Sequence, residues 1–187
     1  VYTVFGNNPN SGEVWLRRNA GGSCCTWTST AIDLNTEGAS AVRVADIDGD
    51  GDLDVAATAH EADRLSWWAN DGTADYWTEH TVDQELDGSL SSAVADLDGD
   101  GDMELLAGSE VSGSIQWWKN HGNYAASWAQ QTVANPGGLL NEVGAADLDG
   151  DGDLDYFASG NGSTRVAWWE NETGNASTWI QQDMFHW

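Results

Sequence analysis

The chain has 187 residues, room for about one domain with a sizeable core, and carries 31 acidic against 6 basic side chains, a formal net charge of −25. Such an excess belongs either to a disordered acidic chain or to a folded one neutralised by cations; twelve Trp and a 40% hydrophobic content exclude a solvated tail and leave the second reading. Nucleic acid and anionic membrane surfaces are excluded as partners because this charge repels both, and no stretch approaches the roughly 20 apolar residues of a membrane helix, so no membrane insertion is expected.

Residues 1–33 carry, in order, Gly6, Val14-Trp15-Leu16, Asn19 and Trp27. The chain opens at Val1 with no signal-like segment, the expectation for a processed or excised chain. Cys24 and Cys25 are adjacent, so a bond between them would be strained; they are expected to bond another chain or stay reduced, and they do not decide the compartment.

From residue 34 the sequence repeats. Asp46-Ile-Asp-Gly-Asp-Gly-Asp-Leu-Asp54 returns at Asp96 to Glu104 and at Asp147 to Asp155, at offsets of 50 and 51 residues. Each acidic stretch leads into a small apolar run, then a double aromatic (Trp67-Trp68, Trp117-Trp118, Trp168-Trp169), then a turn (Asn70-Asp-Gly, Asn120-His-Gly, Asn171-Glu-Thr-Gly), then a lone Trp at 77, 128 and 179. The unit reads as four short strands, Ser40–Ala45, Leu53–Ala59, Arg64–Ala69 and Trp77–Val82 in its first copy, with no helix. Large residues fall on both faces of the Leu65–Trp68 strand, so both faces need covering. Four-stranded units of this length, covered on both faces, predict an all-β fold with propeller-like blades. Three complete units (34–83, 84–133 and 134–187) follow an incomplete one (1–33) whose landmarks match Gly160, Ala167-Trp168-Trp169, Asn171 and Trp179 but which lacks the first strand and acidic loop. Fifteen strands result, the expectation for a minimal ring, a fragment, or a piece completed by another chain. The unfilled strand position is an open edge that invites pairing.

The spacing D-x-D-x-D-G-x-x-D sets oxygens at alternate positions of a tight loop, with Gly at position six for the sharp turn, and this suits Ca²⁺, which takes six to eight oxygen ligands. Loop one is expected to ligate through Asp46, Asp48, Asp50 and Asp54 and the carbonyl of Asp52. Loop two would use Asp96, Asp98, Asp100 and Glu104 with the carbonyl of Asp102, and loop three Asp147, Asp149, Asp151 and Asp155 with that of Asp153. The longer arm of Glu104 sets site two apart. Three Ca²⁺ bring the charge from −25 to −19. An EF-hand is disfavoured because position twelve is Ala57, Ala107 or Ala158 where Glu is needed, and strand formers follow. Mg²⁺ is disfavoured by its strict octahedral demand.

These loops, with the apolar runs behind them, resemble FG-GAP or VCBS repeats, and the resemblance covers nearly the whole chain. It is similar to the repeats of integrin α-subunit heads and of secreted microbial propellers and lectins. The resemblance implies a propeller with a Ca²⁺ loop between the first two strands of a blade, and a family that hosts adhesion, sugar binding and accessory modules of enzymes.

Periodic Trp at strand positions reads as core, with Trp77, Trp128 and Trp179 as the better candidates for stacking on sugar. His60, His80, His121 and His186 fall at non-equivalent positions and suggest surface or packing roles. Asn161-Gly-Ser, Asn171-Glu-Thr and Asn175-Ala-Ser are sequons that a eukaryotic source could glycosylate. No nucleophile with its base, phosphate loop or acid pair stands outside the metal loops, so no enzyme is expected. The expected function is an extracellular, secreted or cell-surface module binding a glycan or an extracellular protein. The alternatives are a subunit that assembles with copies of itself into a filament or surface layer through its open strand edges, and an accessory domain of a larger secreted enzyme.

Overall fold

The computed structural model describes residues 2–7, 12–19, 26–122, 124–125, 127–135, 139–161 and 166–183. They form 15 strands and no helix. The first sheet holds β1 (Tyr2–Asn7), β2 (Glu13–Asn19) and β3 (Trp27–Asp33). The second holds β4 (Ala39–Ala45), β5 (Asp54–Ala59), β6 (Arg64–Asn70) and β7 (Trp77–Asp83). The third holds β8 (Ser89–Ala95), β9 (Glu104–Ser109), β10 (Ile115–Asn120) and β11 (Trp128–Ala134), and the fourth β12 (Leu139–Ala146), β13 (Asp155–Asn161), β14 (Val166–Asn171) and β15 (Trp179–Asp183). Every sheet is an antiparallel meander in chain order, as expected of strands joined by short turns of Gly, Asn and Asp.

The core lies in three slabs between consecutive sheets. Val14 of the first sheet packs with Val55, Ala57 and Trp68 of the second. Leu65 and Trp67 of the second join Leu105, Ala107 and Trp118 of the third. Ile115 and Trp117 of the third join Tyr156, Ala158 and Trp169 of the fourth. Successive side chains of a strand point to opposite faces, so the neighbours Trp67 and Trp68, 0% and 1% exposed, each serve a different slab. Each full burial of such a ring removes about 150–250 Å² from water, which makes the Trp pairs the main cohesive element.

The first strands of the sheets lie side by side: β1 against β4, β4 against β8, β8 against β12. Ser40 on β4 donates its hydroxyl to the carbonyl of Ser89 on β8 at 2.7 Å. Glu142 on β12 accepts from Ser91 on β8 at 3.2 Å and meets Arg43 on β4 at 3.3 Å, so β4 and β12 also face one another. Among the first strands, β4, β8 and β12 each carry one extra residue in their pairing, at Ser40, Leu90 and Asn141. Such a bulge bends the strand and increases its twist.

Candidate metal centres

All three acidic loops join the first strand of a sheet to its second, and all are built alike. Position six is Gly51, Gly101 or Gly152 at φ of +97°, +96° and +103°, a conformation that a side chain would strain. Inside loop one the carboxylates organise the backbone as a ladder: Asp46 accepts the amides of Gly49 (2.9 Å) and Gly51 (3.1 Å), Asp48 that of Asp50 (3.1 Å), and Asp50 that of Asp52 (2.9 Å). Loop three repeats the ladder with Asp147, Asp149 and Asp151. The position-seven side chain turns away from the loop centre. Asp52 and Asp102 lie against Gly72 and Gly122 of the Asn turns, where an added Cβ would meet a carboxylate oxygen at 2.7 Å, so these glycines make room for it. That orientation leaves the backbone carbonyl as the group position seven can offer.

The position-nine carboxylate has a second task that spacing alone does not reveal. Asp54 accepts the amide of Ile47 at 2.9 Å and that of Asn70 at 2.9 Å, and Asp155 accepts those of Leu148 and Asn171 at the same distance. It therefore ties the head of the loop to the turn after the third strand. Glu104 accepts the Leu97 amide at 2.8 Å with one oxygen only, and its Oε1 has no partner. Burial, with nearby carboxylates adding to it, pushes the Asp54 carboxyl up to about 6 and the Glu104 carboxyl up to about 8.

Carboxylate oxygens that could share one ion come together in every loop, within 4.8 Å of one another: Asp46, Asp48 and Asp50 in loop one, Asp96, Asp98 and Glu104 in loop two, and Asp147, Asp149 and Asp155 in loop three. Asp54 in loop one, and Asp100 and Asp151 in loops two and three, stand outside these triplets. In loop two Asp96 Oδ1, Asp98 Oδ1 and Glu104 Oε1 are all buried without a hydrogen-bond partner. Orphaned buried carboxylate oxygens are costly unless a cation takes them, and an all-oxygen set of hard donors fits Ca²⁺.

Loop two also holds a feature missed from the motif. Lys119 places its ammonium on Asp98 and, at 3.1 Å, on Asp100, and these contacts raise its pKa. The equivalent residue before each turn Asn is Ala69 in the second sheet and Glu170 in the fourth. The repeat register would have exposed this difference had the residue before the Asn been compared.

The other candidates separate by burial. Trp77, Trp128 and Trp179 are partly buried and packed on the three core slabs; Trp179 meets Tyr156 edge to face at 4.7 Å. His80 stacks on Trp67 at 4.5 Å and His60 meets Glu110 at 3.2 Å, while His121 is exposed. The sequon at Asn171 is corrected: the residue is 1% exposed and its amide nitrogen donates to the carbonyls of Leu97 and Leu154, so no glycan reaches it. Asn161 and Asn175 are exposed. Cys24, Cys25 and His186 lie outside the described residues.

A family model for the FG-GAP-like repeat matches residues 1–57, 46–107 and 105–158. The second match begins in loop one and ends in β9, so the sequence unit runs from one acidic loop to the next and straddles two sheets. A comparison with curated proteins finds no match.

Proposed function

The chain belongs to the FG-GAP-like repeat family, and on that premise we propose that it is an extracellular β-propeller module, stapled by one Ca²⁺ in each acidic loop, that serves adhesion or recognition of a glycan or protein. The observation that carries the metal reading is the set of three partnerless buried oxygens, Asp96 Oδ1, Asp98 Oδ1 and Glu104 Oε1, on the three loop-two residues that each bring a carboxylate oxygen within 4.8 Å of the others. The blade arrangement is supported by the first strands, which lie in succession with Arg43 of β4 meeting Glu142 of β12.

The ions act as staples in this reading. Each loop carries five acids in nine residues, and unneutralised they repel one another; bound Ca²⁺ removes that repulsion and fixes the loop against its sheet. A site filled to 100 times its dissociation constant adds about 2.7 kcal/mol to folding. Millimolar extracellular calcium fills loops of this class. With the ions structural, recognition falls to the loops at the ends of the sheets and not to a catalytic centre.

The test is a calcium titration by calorimetry with thermal melting before and after chelation, and light scattering on the same samples. Three equivalents bound, and a melting point lowered by tens of degrees on chelation, are expected. A melt indifferent to chelator and to millimolar Ca²⁺ sinks the metal reading. A glycan and protein-ectodomain screen on the calcium-loaded particle then tests recognition, and long polymers in the scattering would replace it with the filament reading.

A further inference from the structure

Loops one and two are anchored alike. Ile47 and Leu97, their position-two residues, are each 1% exposed; Ile47 clusters with Leu105 and Trp118 of the third sheet, Leu97 with Tyr156 and Trp169 of the fourth. Asn120 Nδ2 donates to the Ile47 carbonyl at 3.0 Å, and Asn171 Nδ2 to the Leu97 carbonyl at 3.0 Å. Inside, the loops differ. In loop one Asp46 Oδ1 accepts the position-four amide, of Gly49, at 2.9 Å, and Asp48 Oδ1 the position-five amide, of Asp50, at 3.1 Å. In loop three Asp147 Oδ1 and Asp149 Oδ1 accept the same two amides, of Gly150 and Asp151, at 2.7 and 3.1 Å. The corresponding oxygens of loop two, Asp96 Oδ1 and Asp98 Oδ1, are buried without a hydrogen-bond partner, so both rungs are open. The other two rungs stand: Asp96 Oδ2 takes the Gly101 amide at 3.1 Å and Asp100 Oδ1 the Asp102 amide at 3.0 Å.

What loop two has in their place is an ammonium. Lys119, next to last in β10, reaches back across the hairpin to Asp98 Oδ2 and, at 3.1 Å, to Asp100 Oδ2; the Asp98 side chain is 3% exposed. A full positive charge draws a buried carboxylate more strongly than an amide dipole does, so Asp98 turns to the lysine and leaves the Asp100 amide. The residue at this place is Ala69 in the second sheet and Glu170 in the fourth, and there both rungs are closed. Beside the open rungs Glu104 Oε1 is also buried and unpartnered. The ammonium thus neutralises part of the loop while three of its oxygens remain unclaimed.

We propose that Lys119 is a tethered counter-ion that stands in for the metal ion in loop two: it holds the empty loop with the position-four and position-five rungs open, and calcium enters by displacing it, which lets them close. The displacement rests on the calcium reading given above; the ammonium's hold on the empty loop does not. An ion shifts such a two-state loop only by its different affinity for the two states, so the cost of expelling the ammonium is subtracted from binding at loop two. Loop one, with Ala69 at that place, has no charge to expel and its rungs are already closed. Loop two therefore fills after loop one, and its backbone reports the filling.

The test is amide hydrogen exchange followed by NMR on the whole chain, metal-free and with calcium. Lys119→Met removes the charge and keeps the stem, and Ala69→Lys gives loop one the same ammonium. In metal-free wild type the amides of Gly99 and Asp100 are expected to exchange about tenfold faster than those of Gly49 and Asp50, the worth of about one hydrogen bond. Lys119→Met should slow them to the loop-one rate without any ion, and calcium should do so in wild type. Ala69→Lys should speed Gly49 and Asp50 by a similar factor and weaken calcium at loop one about tenfold, a readout that does not depend on how Lys119→Met folds. Equal exchange in the two loops of metal-free wild type overturns the proposal. So do Gly99 and Asp100 amides that stay fast in Lys119→Met, or calcium that fills loop two without slowing them. Calcium bound by none of the three proteins overturns the metal reading and with it the displacement, an outcome told apart from failure of the ammonium's hold, which is read in metal-free samples.

Discussion

Three loops of one spacing sit in three different surroundings, and the surroundings set them apart. Loops one and two are clamped by the following sheet, with Ile47 and Leu97 each 1% exposed, whereas Leu148 of loop three is 42% exposed. Among the described residues loop two alone carries a cation of the protein's own, Lys119, and it alone has a glutamate at position nine. Its carboxylates are the most deeply drawn in, with Asp98 and Glu104 both buried. The repeat spacing therefore sets where the carboxylates stand, while loop two is set apart by its position-nine Glu104 and by Lys119 outside the motif.

The largest expected difference is with pH. Glu104 rises from an ordinary 4.5 to about 8 and Asp54 from 3.8 to about 6. A carboxyl whose folded pKa is raised stabilises the metal-free fold fully below its unfolded value, and loses that contribution as pH climbs through the folded value. Metal-free protein should thus melt higher at pH 5 than at pH 9. Calcium needs the deprotonated form, so the sign reverses with the ion. Binding at loop two should weaken about tenfold per unit below pH 8, roughly 100-fold by pH 6, while loop one holds until about pH 6. Calorimetry in two buffers of different ionisation enthalpy reads the proton released; Glu104→Gln should abolish the release near neutral pH, and release that survives it would place the proton elsewhere.

Next in size is the clamp. Asn171→Ala leaves the carbonyls of Leu97 and Leu154 and the amide of Ala176 without their partner, at a cost of about 2 kcal/mol for buried groups. Asn70→Ala also frees three groups, the Leu53 carbonyl and the amides of Gly72 and Ala74, but two of these bonds are exposed, so it should cost about half as much. Denaturant melts of the two variants compare them; equal losses would mean that the bond between sheets contributes nothing beyond the turn.

Most of this architecture was legible in the sequence. The 50-residue recurrence placed the strands of the first full unit within a residue of where they lie, and the three-stranded first sheet coincides with the unit that has no acidic loop. Trp67-Trp68 announced burial on both faces, since period two forces neighbouring rings apart. The bulges at Ser40, Leu90 and Asn141 were not legible: an extra residue in a strand leaves the turn landmarks in place, and Leu90, 38% exposed, does not follow a core alternation. The double duty of Asp54 was hidden because its partners, Ile47 and Asn70, meet only once β5 and β6 pair. Lys119 was hidden for a related reason, since it reaches Asp98 across a hairpin.

That lysine supplies the next test. An ammonium about 4 Å from a bound divalent ion costs on the order of 8 kcal/mol at an effective dielectric of 20, and much of this is relieved when a flexible, partly exposed side chain swings away. Lys119→Ala should tighten loop two about tenfold, near 1.4 kcal/mol, and leave loops one and three unchanged. Glu170→Lys should weaken loop three by a similar factor. If Lys119→Ala leaves calcium affinity unaltered, the ammonium stays clear of the ion and the difference between the loops reduces to Glu104.

The smallest effect lies behind loop three, where Tyr156 stands at the position held by Val55 and Leu105 in the other sheets. Its ring stacks on Trp169 at 4.7 Å and 9°, while its hydroxyl is buried without a hydrogen-bond partner, and burial raises its pKa. Desolvating a hydroxyl with no partner costs about 1–3 kcal/mol, and removing it returns most of that, less the contacts the oxygen makes. Tyr156→Phe keeps the stacked ring, so it should be neutral or stabilise by up to about 1 kcal/mol, raising the melting point by about 2–4 °C in a chain of this length. A loss of stability would mean that the packing of the oxygen outweighs its desolvation. Its removal would then loosen loop two, whose Leu97 packs in the same cluster, and the calcium affinity of that loop would fall with the melt.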